Sequence, residues 1–195
     1  MLHIEFPEAL PVSQRRDDIA AVIAMTPLTS GAAVSRAAVA HRDVGSALKW
    51  TAIGLKSRLD VVRGRRPTMM PLVAHPGEPG GLTLDGAYES YTALAGPTWR
   101  NEVDSAVGLQ IAGIRTAEAA RRLRCPALFQ IADFDRYVPA ESVVKTAELA
   151  RGVVHHYPCD HFDVWPGHEW FEKAAADQVA FLARVLSREA SAALP

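Results

Sequence analysis

The chain is short of cysteine: only Cys125 and Cys159 are present, which points away from a disulfide-stapled secreted scaffold. The two stand at opposite ends of segments that read as neighbouring parallel strands, so reduced thiols in a cytoplasm are expected rather than a bond. Charge of one sign is also lacking. Twenty-one Lys and Arg face twenty-two Asp and Glu, a net charge of −1, so no field exists to recruit nucleic acid or an anionic membrane. No uncharged apolar run approaches the ~20 residues that a bilayer crossing requires. The start, Met1-Leu-His-Ile-Glu-Phe-Pro-Glu8, has neither a basic opening nor a long apolar stretch, and no secretory signal is read there. What the chain does have is 195 residues at 49% apolar content, enough for one domain with a sizeable core.

Leu2, Ile4 and Phe6 alternate with polar residues and predict a weak strand, stopped by Pro7 and Pro11. Residues 19–25 predict a firmer strand, apolar on both faces and closed by Thr26-Pro27. From Val34 to Val62 the apolar positions step by three or four, through Val34, Ala38, Val44, Leu48, Leu55, Leu59 and Val62. That period is helical, with His41 and Thr51 as polar interruptions. Gly45 and Gly54 weaken it, which leaves two helices or one bent helix open. Residues 64–81 are rich in Pro and Gly and read as a loop. Helical patches are expected near 86–95, 99–110 and 116–123, the last with Thr116 as N-cap. Residues 140–150 and 169–188 predict two more helices, the second with a stripe of Phe171, Ala175, Val179, Leu182 and Leu186.

Two short segments near the C-terminus belong together. Ala127-Leu-Phe-Gln-Ile-Ala-Asp-Phe-Asp-Arg-Tyr-Val-Pro139 is an apolar run that ends in acids. Val153-Val-His-His-Tyr-Pro-Cys-Asp-His-Phe-Asp-Val-Trp165 is a second run that ends in a histidine. The helix between them makes the strands parallel neighbours with their C-terminal ends on one edge, where open α/β sheets hold their chemistry. His161 is the candidate general base, and Asp135 is its natural carboxylate partner, with Asp133 as the rival. His155, His156, His161 and His168 with Asp160 and Asp163 match no zinc signature, since adjacent strand residues face opposite ways. No metal and no cofactor is expected. Cys159 lies too close to His161 on one loop to form a relay and is expected to pack.

The two strand tips resemble the last two strands of the α/β-hydrolase superfamily, which deliver the acid and then the histidine of a Ser…Asp…His triad. Asp135 stands three residues before Val138-Pro139, as in that family's Asp-x-x-Val-Pro pattern, and Ala132 replaces its usual glycine. His161-Phe-Asp-Val-Trp165, Trp170-Phe-Glu-Lys-Ala174, Asp177-Gln-Val-Ala-Phe-Leu182 and Trp99-Arg-Asn-Glu-Val103 are similar to uncharacterised bacterial serine hydrolases of the dienelactone-hydrolase-like and acyl-peptidase-like branch. The resemblance implies an α/β fold: the C-terminal part of a hydrolase sheet, with its last three parallel strands and flanking helices, plus a helical cap. It divides the chain into an N-terminal segment with the first core strand (1–27), a cap insertion (28–124) and a C-terminal core (125–195). It further implies Asp135 and His161 as catalytic residues and a small acyl substrate, an ester, thioester or amide.

The resemblance also exposes a gap. Such an enzyme needs Gly-x-Ser-x-Gly on a strand–turn–helix elbow, and no such motif occurs in the 195 residues. Ser30 has a strand before it and a helix after it, but no glycine two residues earlier. Arg16-Asp-Asp-Ile-Ala-Ala-Val-Ile23 resembles the segment after the nucleophile's helix, which makes residues 19–25 the sixth strand and Ser30 an entry to the cap. The chain is then expected to lack five strands, the nucleophile and both oxyanion-hole amides, as a truncated product, a frameshift remnant or a mis-called start. Two readings follow: a hydrolase known through its C-terminal part, or a non-catalytic remnant or binding protein. Either way strand 19–25 would offer an open edge for self-association.

Overall fold

The computed structural model describes residues 18–40 and 44–192. The strand expected at residues 2–6, and His41, lie outside them. Among the described residues the core is a three-stranded parallel sheet of β1 (Val22–Met25), β4 (Ala127–Ala132) and β5 (Val153–Tyr157), in the order β1-β4-β5. Val22 is paired with Ala127, and Leu128 with Val153, so the three strands run in step toward one C-terminal edge. Helix α6 (Ala140–Ala150) joins β4 to β5, as parallel neighbours require.

Period-two alternation sorts the side chains of β4 between two layers. Val22, Ala24, Ala127, Phe129 and Ile131 face one side, where they pack with Ala119 and Ala120 of α5 (Ala117–Arg121) and Val143 and Ala147 of α6. Ile23 and Leu128 face the other, against Phe181 and Val185 of the final helix α7 (Phe171–Ala192). Every residue of β1 and β4 is buried, because both faces are covered.

One polar side chain interrupts the second layer. Gln130 is fully buried, and its amide nitrogen donates to the Tyr157 hydroxyl and to the Ala174 carbonyl, each at 2.8 Å. Its carbonyl oxygen accepts from Gln178 at 2.7 Å, and the Tyr157 hydroxyl donates to Asp177 at 2.8 Å. This satisfied chain of bonds fixes α7 on the sheet in a single register, which apolar packing alone specifies less sharply. Burial, then Asp177, pushes the Tyr157 phenol well above its ordinary value, so it stays a donor.

The chain divides into two compact units: residues 1–37 with 114–195, and residues 38–113. The second unit does not coincide with the expected 28–124: α1 (Gly31–Ala40) begins in the first unit and α5 belongs to it entirely. Two helices, α1 and α2 (Val44–Val62), take the place of the single long period.

In the second unit the loop at 64–81 contains β2 (Met69–Met70), paired antiparallel with β3 (Val103–Asp104). The helix expected over 99–110 is thus only α4 (Val107–Ala112), as β3 takes the first half. The cause is Asp104, whose carboxylate accepts from Ser57 at 2.6 Å and from the Ala106 amide at 2.9 Å. That local bond competes with helix formation. The helix expected at 86–95 is α3 (Ala87–Ala93). Thr116 does precede α5, but its hydroxyl donates to the Thr29 carbonyl at 2.8 Å instead of capping.

Candidate active site

Beyond Ala132 and Tyr157 the two strands continue as loops that stay zipped together. The Asp133 amide donates to the Tyr157 carbonyl at 2.9 Å, and the Phe134 amide to the Cys159 carbonyl at 3.0 Å. The β4 loop then tightens on Asp135. One carboxylate oxygen accepts the amides of Tyr137 and Val138 at 2.8 and 2.7 Å, a turn that this residue type makes with its own side chain. Val138-Pro139 leads directly into α6, so the turn is held from behind by a rigid element.

The second oxygen of Asp135 lies 2.7 Å from Nδ1 of His161. The Asp135 side chain is 3% exposed and the His161 side chain 14% exposed, so the pair is shielded from water while the ring keeps an accessible flank. A carboxylate held at Nδ1 favours the tautomer that carries its proton there and leaves Nε2 free to accept. Tyr137, Phe162 and Trp165 surround the imidazole, with ring centroids 5.6, 4.8 and 6.3 Å away. These rings fix the imidazole plane and lower the local dielectric, which strengthens the carboxylate contact.

Asp133, the rival acid, lies apart from this pair and bonds His156 Nδ1 at 2.6 Å. His155 faces the opposite side of the sheet, with Nδ1 3.1 Å from Asp177. His168 is 3.8 Å from Asp163. The four histidines thus go to four different carboxylates. Among the described residues no group of three or more His, Cys, Asp or Glu is placed to hold a metal.

Cys159 is buried, and burial pushes its thiol up to about 12, with the carboxylates of Asp163, Asp160, Asp133 and Asp135 adding to the effect. A thiol held protonated in this way is no nucleophile. Ser30 precedes α1, and its hydroxyl accepts the Ala33 amide at 3.3 Å, a helix-capping use. The sequence reading weighed Asp160 only as a metal ligand and missed its contacts. Asp160 accepts the amides of Arg136 and His161 and pairs with the Arg136 guanidinium. The signal for it was its position, directly before the histidine.

No family model matches the sequence. The chain is 30% identical over 171 residues to the quorum-quenching protein AidA of Acinetobacter baumannii strain MDR-ZJ06, covering 86% of this chain and 55% of AidA. Among solved structures it is similar to the α/β hydrolase GrgF from Penicillium sp. sh18, with a TM-score of 0.66 and 18% identity over 93% of this chain and 61% of that one. It is also similar to DcsB, solved with a substrate analogue, with a TM-score of 0.63 and 19% identity over 92% and 60% of the two chains. A monoacylglycerol lipase of Paleococcus ferrophilus follows, with a TM-score of 0.55 and 14% identity over 93% and 64%. The chain thus spans 55% of the curated relative and about three fifths of the solved ones. Strand order, crossover helix and these likenesses agree: the chain has the α/β-hydrolase fold, in the form of its last three parallel strands, their flanking helices and a helical insertion.

Proposed function

We propose that this chain supplies the acid and the general base of an α/β-hydrolase-type serine hydrolase acting on an ester, thioester or amide bond. The observation that carries the reading is the shielded contact of 2.7 Å between Asp135 and His161 Nδ1 at the C-terminal edge of the sheet. In this role Nε2 of His161 takes the proton of a serine hydroxyl as that oxygen attacks the acyl carbon, then returns it to the leaving group. Asp135 holds the tautomer and stabilises the imidazolium formed in between. The 195 residues contain no Gly-x-Ser-x-Gly, so nucleophile and oxyanion hole are to be supplied by other polypeptide. The name of AidA supports testing quorum-signalling molecules with an ester or amide bond first. The alternative, a non-catalytic binding protein on the same half-fold, keeps the pair without the chemistry.

The test uses an activated ester and a fluorophosphonate probe on the 195-residue chain, alone and mixed with a polypeptide bearing the strands and elbow of a related hydrolase. Alone, the chain is expected to turn over no more ester than its H161A variant, because triad members act as a unit. In the mixture, turnover lost on H161A or D135N is expected. Turnover unaffected by either substitution would favour the binding-protein alternative. Probe labelling of the lone chain that disappears in S30A would move the nucleophile to Ser30.

A further inference from the structure

The main-chain bonding between the two loops stops at Phe134 and Cys159, because Asp135 turns the chain away. The next amide, that of Arg136, turns instead to a side-chain acceptor on the histidine loop. Asp160 provides it. One carboxylate oxygen accepts the Arg136 amide at 3.0 Å and the His161 amide at 2.8 Å, and the other meets the Arg136 guanidinium. Asp160 is itself pinned: its amide donates to the Asp163 carboxylate at 2.8 Å, and the Asp163 amide donates to the Asp160 carbonyl at 3.1 Å. Residue 135 thus faces 161 while 136 faces 160, two crossings side by side.

We infer that Asp160 is a positioning residue, whose carboxylate splices the acid-bearing loop to the histidine-bearing loop and so sets His161 against Asp135. This rests on the reading of Asp135 and His161 as acid and base. An ordinary surface ion pair contributes little, since it holds two mobile side chains in water. Asp160 differs because it grips two backbone amides, one on each side of the dyad, and its own side chain is only 23% exposed. Burial pushes its carboxyl up, but the two amides and the guanidinium outweigh this and keep it ionised below the ordinary carboxylate range. Charge-assisted bonds to backbone are also geometrically stiff, and a catalytic pair needs its geometry held within about 0.5 Å.

The experiment reads the Nδ1 proton of His161 in the full 195-residue chain, through its low-field proton resonance and its rate of exchange with solvent. The wild type is expected to show the resonance. D160N keeps an oxygen that accepts both amides and is expected to retain it. D160A removes the acceptor and is expected to lose the resonance or exchange at least tenfold faster. A role confined to folding would lower the melting temperature of D160A yet leave the resonance intact below the melt, and that result overturns the inference. Equal loss in D160N and D160A overturns it too, because charge rather than position would then be responsible. If D160A does not fold, D160E decides, since it keeps the charge but moves the carboxylate off the two amides: faster exchange supports the inference and unchanged exchange contradicts it. Absence of the resonance from the wild type is a different failure, that of the acid–base reading itself.

Discussion

Asp133 and His156 form a carboxylate–imidazole contact of 2.6 Å that nearly duplicates the 2.7 Å distance between Asp135 and His161, which lie further along the same two segments. Surroundings separate the pairs. The Asp133 and His156 side chains are 36% and 50% exposed, whereas Asp135 and His161 are 3% and 14% exposed. Water screens the first pair, and burial concentrates the second.

The difference predicts opposite mutational outcomes. D133N is expected to change stability by less than about 1 kcal/mol, as an exposed pair does. D135A strands the Tyr137 and Val138 amides and the His161 ring, and is expected to cost about 1.5–3 kcal/mol. Chemical denaturation of the two variants checks this, and equal losses would contradict it.

Gly152 marks the entry to β5. A methyl group there would lie 2.7 Å from two ring carbons of Phe129, which is fully buried in the first layer of the core. The ring cannot retreat without opening the packing of β4 against α6. G152A is therefore expected to destabilise the chain by about 1–3 kcal/mol, the ordinary cost of overpacking. A melting temperature unchanged from wild type would show that the turn after α6 gives way instead.

Acid should loosen the far side of the sheet. Burial raises the Asp177 carboxyl, but Lys173, His155 and Tyr157 outweigh it and bring it down to about 2. A depressed folded value means that this contribution is fully present above the ordinary carboxylate range near 3.9 and is lost as pH falls toward about 2. Asp160 is depressed in the same direction. Denaturant midpoints are expected to fall between roughly pH 4 and pH 2, and the D177N variant should show a shallower fall. Identical slopes for the two proteins would remove Asp177 from the account.

The side of β1 turned away from β4 carries an expectation about association. The amides of Val22 and Thr26 donate toward β4, to Pro126 and Gln130, so alternation turns Ile23 and Met25 the other way. Among the described residues β1 pairs with β4 alone. An uncharged apolar strand at the edge of a sheet is a template for another strand. The 195-residue chain is expected to self-associate with rising concentration, or to take up strands from a complementing polypeptide, as sedimentation velocity would show. A strictly monomeric sample with a sharp cooperative melt would contradict this.

The parallel pair and its tips were legible because each depends on local chemistry: apolar runs, an Asp that turns on its own side chain, and a histidine just past a strand. Asp160 was not legible as a splice, since its partners Arg136 and His161 meet only when both loops fold. Helical period was read correctly over α2, but Leu48, Leu55, Leu59 and Val62 on that stripe are exposed, and period alone does not say what covers a face. The misread stretch at 99–110 failed for a related reason. Asp104 is claimed by Ser57, forty-seven residues earlier, and no local pattern announces that bond.

The most direct test of the account is the tautomer of His161, read from the ring nitrogen chemical shifts of labelled chain at a pH where the imidazole is neutral. A general base oriented by Asp135 must carry its proton on Nδ1 and leave Nε2 bare, and D135N should shift the proton toward Nε2. That is the predicted result. A wild-type His161 protonated mainly on Nε2, with no change in D135N, would contradict the claim that this sheet edge holds an acid–base pair.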